Sequence, residues 1–157
     1  DFNGDPEKFG EEAKKFLAQA ENAPELDMPV RLGYVGVPPI MTELYDYLES
    51  RGARVVFNET QRQFTMPFDT GDIVEQYSRY TYPYDIFWRL EDILREIDRR
   101  NIHGVIHYAQ SFCYRQIQDL IIRRKLKVPV LTIEGDRPLH LDARTKMRVD
   151  AFVEMLR

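Results

Sequence analysis

The sequence predicts an α/β fold, a small doubly wound sheet of about four parallel strands with helices on both faces. Short apolar segments that end in turn residues alternate along the chain with longer segments in which apolar residues recur every three or four positions. Uninterrupted apolar strands are typical of parallel sheets buried on both faces, and parallel neighbours require helical crossovers. The predicted strands are residues 30–37, 53–59, 104–109 and 128–134.

The predicted helices are residues 6–20, 40–52, 72–80, 85–101, 114–126 and 142–157. Gly52 follows the second helix and is a typical helix stop. Asp142 suits the N-cap of the last helix, because its carboxylate accepts hydrogen bonds from exposed amides of the first turn. The apolar stripe of this last helix, predicted to face the sheet, comprises Met147, Ala151, Phe152, Met155 and Leu156.

Two regions are predicted along the chain. Residues 1–29 comprise the first helix, with Phe9, Phe16 and Leu17 on one face, and a linker that contains two prolines. Residues 30–157 comprise the α/β domain. A chain of 157 residues suits a single compact core.

Composition narrows the classes of function. The net charge of −4 disfavours a nucleic-acid partner, since a polyanion is bound by basic surfaces. No apolar stretch approaches the roughly 20 residues of a membrane-spanning helix, and the acidic first residues do not resemble a secretory signal. The single cysteine excludes an internal disulfide and fits a reducing compartment, so we expect a cytoplasmic protein.

Ligands of doubly wound sheets bind beyond the carboxyl ends of the strands, and this rule singles out Cys113. The cysteine follows the predicted strand 104–109 and directly precedes the predicted helix 114–126. Three roles are open to it: a buried packing residue, a nucleophile paired with His107, or a ligand of a shared metal centre. The amides and dipole of the following helix would favour a thiolate at this position.

Other polar and aromatic residues also have more than one interpretation. Glu134, Asp136 and Asp142 could bind a cation or cap the last helix. The three histidines lack the spacing of a metal triad, and His107 is interpreted as a core or rim histidine. A dense aromatic segment is interpreted as the lining of a ligand pocket, as a subunit interface or as core packing. It comprises Tyr77, Tyr80, Tyr82, Tyr84, Phe87 and Trp88.

Three segments carry a family resemblance: "GVIHYAQSFC" (104–113), "VPVLTIEGD" (128–136) and "TKMRVDAFVEML" (145–156). They are similar to a strand ending in Phe-Cys, a strand ending in an acidic turn, and a helix with Arg-x-x-Ala-Phe-x-Glu-Met-Leu. In that order these features are typical of the C-terminal domain of the 2-hydroxyacyl-CoA dehydratase and benzoyl-CoA reductase subunit family. The resemblance covers about residues 30–157, because "RLGYVGVPP", "RGARVVFNE" and "YSRYTYPYD" also resemble segments of that domain.

The resemblance implies a 4Fe–4S cluster that lies between two α/β domains, with Cys113 at the position of the C-terminal domain's ligand. Gln110, Ser111 and Tyr114 then become candidate cofactor-binding residues, because they share the same strand end. The remaining ligands belong to the family's N-terminal domain, since one cysteine cannot hold a cubane cluster. We therefore expect this chain to be the C-terminal half of a larger subunit and to be inactive by itself.

The resemblance also implies radical chemistry on an acyl-CoA thioester. The expected partners are a second homologous subunit and an ATP-dependent activator protein that delivers a low-potential electron. The resemblance assigns no catalytic residue in this chain. An electron-transfer iron–sulfur scaffold without an acyl-CoA substrate and a non-enzymatic α/β interaction module remain alternatives, because a fold alone does not choose a function. If the leading interpretation holds, Cys113 lies at the carboxyl edge of the sheet beside an exposed apolar patch.

Overall fold

Four parallel strands form one sheet in the order β2-β1-β3-β4 in the computed structural model, which describes residues 4–24, 27–80, 83, 85–137 and 140–157. The strands are β1 (Val30–Gly36), β2 (Ala53–Asn58), β3 (Gly104–Ala109) and β4 (Val130–Glu134). Each neighbouring pair is parallel. The strand order reverses between β1 and β3, which is the switch point of a doubly wound sheet, so the predicted fold class is confirmed.

The described part of the chain forms seven α-helices and one 3₁₀ helix. They are α1 (Pro6–Glu21), α2 (Leu44–Ser50), α3 (Glu59–Phe64), α4 (Ile73–Ser78), α5 (Ile86–Arg100), the 3₁₀ helix (Tyr114–Gln118), α6 (Asp119–Lys125) and α7 (Ala143–Met155). Asp142 caps α7 as predicted, its Oδ1 accepting the backbone N–H of Thr145 at 2.6 Å. Gly52 lies just after α2 with a positive φ of 72°, as expected of a helix stop.

Each face of the sheet packs against its own apolar core. Successive residues of β3 alternate between them, with Ile106 in one core and Val105 in the other. The first core includes Leu48 of α2 and Phe152 of α7. The second core includes Ile93 of α5 and contributions from α6. Helices therefore cover both faces, as the apolar strands predicted.

Gly36 ends β1 in a conformation that requires glycine. Its φ is +103°, and an added Cβ would lie 2.2 Å from the carbonyl oxygen of Tyr108 and 3.1 Å from the ring of His107. The backbone N–H of Gly36 donates to Oε2 of Glu59 at 3.1 Å. At the switch point between β1 and β3, the backbone of Tyr108 and the buried carboxylate of Glu59 therefore lie against Gly36.

The sequence did not predict α3. The predicted strand 53–59 ends at Asn58, whose side chain caps the helix by accepting the N–H of Gln61 at 3.3 Å. The buried residues of α3 are Glu59, Thr60 and Gln63. Because the side chains that face inward are polar, α3 has no apolar periodicity from which it could be recognised.

The predicted helix 114–126 is also wrong in detail, because it forms two elements, the 3₁₀ helix and α6. Tertiary hydrogen bonds fix the two residues at the junction. Gln118 accepts a hydrogen bond from Arg89, and Asp119 contacts His107. These contacts outweigh the local preference for one continuous helix.

The face of α7 that packs against the sheet differs from the predicted apolar face. Met147 and Met155 are exposed, whereas Val149 and Val153 are buried beside Phe152. Apolar residues lie on more than one side of this helix, so periodicity alone did not fix which side faces the sheet.

Helix α1 buries none of its residues, and Phe9, Phe16 and Leu17 are exposed on it. The division at residue 29 into a helix with linker and an α/β domain stays a prediction. Among the described helices, none has the combination of length and apolar composition that a membrane crossing requires.

Candidate functional site

Cys113 lies in the loop that follows β3, at the carboxyl edge of the sheet, as predicted. Its backbone N–H donates to the carbonyl oxygen of Gln110 at 2.9 Å, and its own carbonyl accepts the N–H of Gln116 at 3.0 Å. Cys113 is partly exposed, which does not fit the alternative of a fully buried packing residue. The element after it is a five-residue 3₁₀ helix and not the first turn of the predicted long α-helix.

Two acidic residues, one at the end of β4 and one in the turn after it, hold the Cys113 loop through hydrogen bonds. The backbone N–H of Ser111 donates to Oδ1 of Asp136 at 2.7 Å, and the Ser111 hydroxyl donates to Oδ2 of the same carboxylate. These two hydrogen bonds lower the pKa of Asp136. Gln116 donates to Glu134 at 3.2 Å on the other side of the cysteine. Neither acidic residue caps α7, and both hold the loop.

His107 pairs with Asp119 rather than with Cys113. The histidine is completely buried in β3, and its Nδ1 lies 2.7 Å from Oδ1 of Asp119. Asp119 also accepts hydrogen bonds from Thr132 at 2.5 Å and from Arg123 at 3.0 Å. Burial lowers the pKa of His107, although the hydrogen bond to Asp119 opposes the shift. The interpretation as a core histidine is confirmed, and the structure gives the nucleophilic pair no support.

A buried ion pair connects the end of β1 to the segment after Cys113. Arg89 donates to Glu59 through two bonds of 2.7 Å, and both side chains are almost fully buried. Glu59 also accepts the N–H of Gly36, while Arg89 donates to the side chain of Gln118. This network was not predicted, yet a signal existed: Arg89 lies between Ile86 and Ile93 on the face of α5 that the apolar periodicity places toward the sheet.

A second buried cluster lies farther along α5. Oδ2 of Asp92 accepts hydrogen bonds from Arg62 at 2.5 Å and from Gln63 at 2.8 Å. Burial raises the pKa of Asp92 despite the nearby charge of Arg62. Burial would also raise the pKa of Glu96, but hydrogen bonds from Arg99 and Arg100 lower it to about 2.

Exposed apolar residues follow and precede Cys113, which confirms the predicted patch on this side of the sheet. We call this set the loop patch; it comprises Phe112, Tyr114, Ile117 and Leu120. Phe112 is fully exposed. The Tyr114 ring lies 5.3 Å from the guanidinium of Arg115, and the Gln110 side chain is partly buried. Exposed groups of large apolar side chains are typical of interaction surfaces.

The aromatic segment does not form core packing where it is described. Tyr77, Phe87 and Trp88 are exposed, and Tyr80 is partly buried. Tyr82 and Tyr84 lie outside the described residues. The interpretations as a ligand pocket or a subunit interface therefore remain for this segment.

The donor set of this chain fits one position of an iron–sulfur cluster. A cubane cluster takes four cysteine thiolates in its usual form, and the sequence contains one cysteine. Within the described ranges, no three His, Cys, Asp or Glu side chains lie close enough to hold a metal ion. Cys113 can thus serve as a single ligand at the edge of the sheet.

Comparison with known proteins agrees with the resemblance seen in the sequence. No curated protein matches the chain. A family model described as "2-hydroxyglutaryl-CoA dehydratase, D-component" matches residues 1–156, so the match extends through α1. This family supplies dehydratase-type subunits in acyl-CoA metabolism. The chain therefore belongs to the 2-hydroxyglutaryl-CoA dehydratase D-component family.

Proposed function

We propose that this chain supplies Cys113 as one ligand of a 4Fe–4S cluster in a subunit that acts on an acyl-CoA thioester. The other ligands come from polypeptide outside these residues, since Cys113 is the only cysteine in the sequence. The observation that carries the proposal is the partly exposed Cys113 at the carboxyl edge of the sheet, with the exposed residues of the loop patch on both sides of it in the chain. Ligands of doubly wound folds bind at this edge.

The hydrogen bonds around Cys113 support a role as a fixed ligand. Ser111 is held by Asp136 on one side, and Gln118 is held by Arg89 on the other. A ligand whose backbone is fixed at both ends loses little conformational entropy when it binds iron. Among the candidate cofactor-binding residues, Ser111 acts through this clamp, because its hydroxyl and its N–H are both bonded to Asp136.

The loop patch supports a covered site. Phe112 and Ile117 are large, apolar and exposed next to the cysteine. When another domain packs on them, water is excluded from the thiolate, and solvent exclusion is one of the factors that set the potential of an iron–sulfur centre. Tyr114 lies on the same surface, which suits a residue at this interface better than a direct ligand.

The cluster, when bound, supplies one-electron chemistry and a Lewis-acidic iron for the thioester oxygen. The proposed partners are the cluster-completing N-terminal domain, a second homologous subunit, an ATP-dependent activator protein and the acyl-CoA. This chain's residues bind one iron, hold the loop and exclude water. Dehydration and ring reduction share this chemistry, and residues around the thioester decide between them.

The test is anaerobic reconstitution of the full-length gene product with iron and sulfide. We expect Cys113→Ser to lower the iron content, whereas Met155→Ser should not. Met155 is an exposed sulfur-containing residue at the end of α7, on the side of the sheet away from the Cys113 loop. Equal iron uptake by all three proteins would contradict the role of Cys113 as a ligand, and no iron uptake by any of them would favour the interaction-module interpretation.

Acyl-CoA binding by the reconstituted protein separates the two cluster-based functions. The proposed dehydratase-type subunit should bind an acyl-CoA thioester, measured by calorimetry under anaerobic conditions. A protein that binds iron through Cys113 and binds no thioester is instead the electron-transfer scaffold.

A further inference from the structure

One ring nitrogen of His107 is buried without a hydrogen-bond partner. The histidine lies in β3 and is completely buried, and the residues that pair with it on the neighbouring strands, Val35 and Thr132, carry no charge. Its Nδ1 lies 2.7 Å from Oδ1 of Asp119, whereas its Nε2 contacts no donor or acceptor among the described residues. Buried polar atoms without a partner are rare, so Nε2 requires an explanation beyond packing.

Asp119 determines which nitrogen of His107 carries the proton. Burial would raise the pKa of Asp119, but hydrogen bonds from Thr132 and His107 lower it. Arg123 also donates to this carboxylate at 3.0 Å. Because Asp119 is therefore ionised at neutral pH, it holds the imidazole proton on Nδ1. The lone pair of Nε2 is then the position at which a second proton binds.

Charged side chains from three helices act on His107. Burial lowers its pKa; Asp119 of α6 and Glu59 of α3 oppose this shift, and Arg89 of α5 adds to it. The ring carbon bonded to Nε2 faces Gly36, whose N–H donates to Glu59. With a pKa below the ordinary value of 6.5, His107 is neutral at pH 7. A new negative charge nearby would raise this pKa and favour the imidazolium.

His107 lies close to Cys113 along the chain and in the fold. Gln110 is three residues beyond His107, a separation of about 10 Å in an extended strand. The N–H of Cys113 donates to the carbonyl oxygen of Gln110 at 2.9 Å, as in a tight turn. The Cα atoms of His107 and Cys113 therefore lie within roughly 17 Å of each other. Over such distances, buried charges are screened less than charges in water.

We propose that His107 takes up one proton at Nε2 when one electron enters the iron–sulfur cluster bound at Cys113. The electron comes from a low-potential one-electron donor and the proton from water, so the net charge of the site is unchanged. The imidazolium keeps its Nδ1–H bond to Asp119. This inference rests on the proposed function, because it requires a cluster at Cys113, but it assigns His107 no contact with iron.

The test is a potentiometric titration of the reconstituted full-length protein with dithionite at a series of pH values, followed by EPR. We expect the midpoint potential to fall as the pH rises between about pH 5 and 8, the range in which histidine titrates. One proton per electron limits the slope to about 59 mV per pH unit, the potential that corresponds to a tenfold change in a one-electron equilibrium. A potential that is independent of pH over this range would overturn the proposal.

Two variants and a matched control assign the proton to His107. His107→Gln should remove the slope. Asp119→Asn removes the carboxylate that stabilises the imidazolium, so it should move the sloping region to lower pH, and this variant keeps the test decisive if His107→Gln does not fold. The control is His103→Gln, because His103 directly precedes β3 at the opposite edge of the sheet and should leave the slope unchanged. A slope that persists in His107→Gln, an unmoved sloping region in Asp119→Asn, or a slope lost in His103→Gln would overturn the proposal.

A measurement before iron is added tests the histidine by itself. NMR spectra of the ring nitrogens should show His107 as the neutral Nδ1–H tautomer at pH 7, and an Nε2–H tautomer would overturn the proposal. Iron uptake through Cys113 is measured separately. A protein that takes up iron through Cys113 and has a potential independent of pH disproves this inference alone, whereas a protein that takes up no iron overturns the proposed function as well.

Discussion

The two faces of the sheet are built differently. The face under α2 and α7 has an apolar core in which tyrosines are the most polar residues. The face under α3, α5 and α6 buries charged or titratable groups beside its apolar core: Glu59, Arg89, Asp92, Glu96, His107 and Arg115. Buried ion pairs contribute little net stability compared with apolar side chains of similar size. Their position indicates a different use, because Arg89 and His107 contact the segment that follows Cys113.

The apolar face therefore mainly stabilises the domain, whereas the charged face also positions the segment after Cys113 at the carboxyl edge of the sheet. On the apolar face, a substitution should cost stability through lost packing alone. On the charged face, a substitution should also disturb the Cys113 loop and introduce a dependence on pH. Four measurements test this difference.

The largest effect is expected from Arg89→Met. This variant leaves Glu59 buried without its cation, at a cost of about 3–5 kcal/mol in the free energy of unfolding, measured by urea denaturation. The double variant Glu59→Gln/Arg89→Met should recover much of that loss, because the amide still accepts the N–H of Gly36. A double variant as unstable as the single one would show that the charge pair is not the reason.

A comparable loss is expected on the apolar face from Leu48→Ala. Leu48 is completely buried, so its truncation leaves a cavity and costs about 2–5 kcal/mol in the free energy of unfolding. The loss should be the same at pH 4 and at pH 7, since no titratable group is removed. A loss that varies with pH would contradict the separation of the two faces.

Acid should act on the charged face through Glu96. Its pKa is about 2 in the folded chain against an ordinary value of 4.5, which corresponds to roughly 3 kcal/mol. Because the folded pKa is the lower one, this stabilisation is complete above about pH 4.5 and is lost as the pH falls toward 2. We expect the free energy of unfolding of Glu96→Gln to vary less between pH 2 and pH 4.5 than that of the unaltered chain. Urea denaturation midpoints measured at a series of pH values test this. An unchanged slope would contradict the role of Glu96.

The smallest effect on stability is expected at the Cys113 loop itself. Asp136→Asn weakens the clamp on Ser111, so alkylation of Cys113 by iodoacetamide should become severalfold faster. The chain has one cysteine, so the rate reports this thiol alone. Asp72→Asn is the matched control, because Asp72 also accepts a backbone hydrogen bond at the surface, at α4. Equal rates in the two variants would show that Asp136 does not restrain the loop.

The sequence predicted the strands and the main helices better than it predicted the buried charged groups. Apolar strands and amphipathic helices follow from periodicity, so the sheet, its parallel strands and the caps at Asp142 and Gly52 could be read from the residues. Helix α3 could not, because its buried side chains are polar. The phase of α7 also failed, since exposed methionines such as Met147 resemble core residues in a sequence.

The position of Cys113 could be predicted because the end of a parallel strand is a local feature. Its partners could not. Ser111 and Asp136 are 25 residues apart, and Glu59 and Arg89 are 30 residues apart. Such pairs depend on which strands become neighbours, and the sequence of a single chain does not specify that order. The family resemblance identified the cysteine but not the residues that hold it.

The most direct test of the central claim is the EPR spectrum of the reconstituted, singly reduced full-length protein beside its Cys113→Ser variant. If Cys113 is a ligand, exchange of sulfur for oxygen changes the iron's coordination, and the variant should show a shifted or absent signal with less bound iron. Identical spectra at equal iron content would contradict the assignment of Cys113 to the cluster.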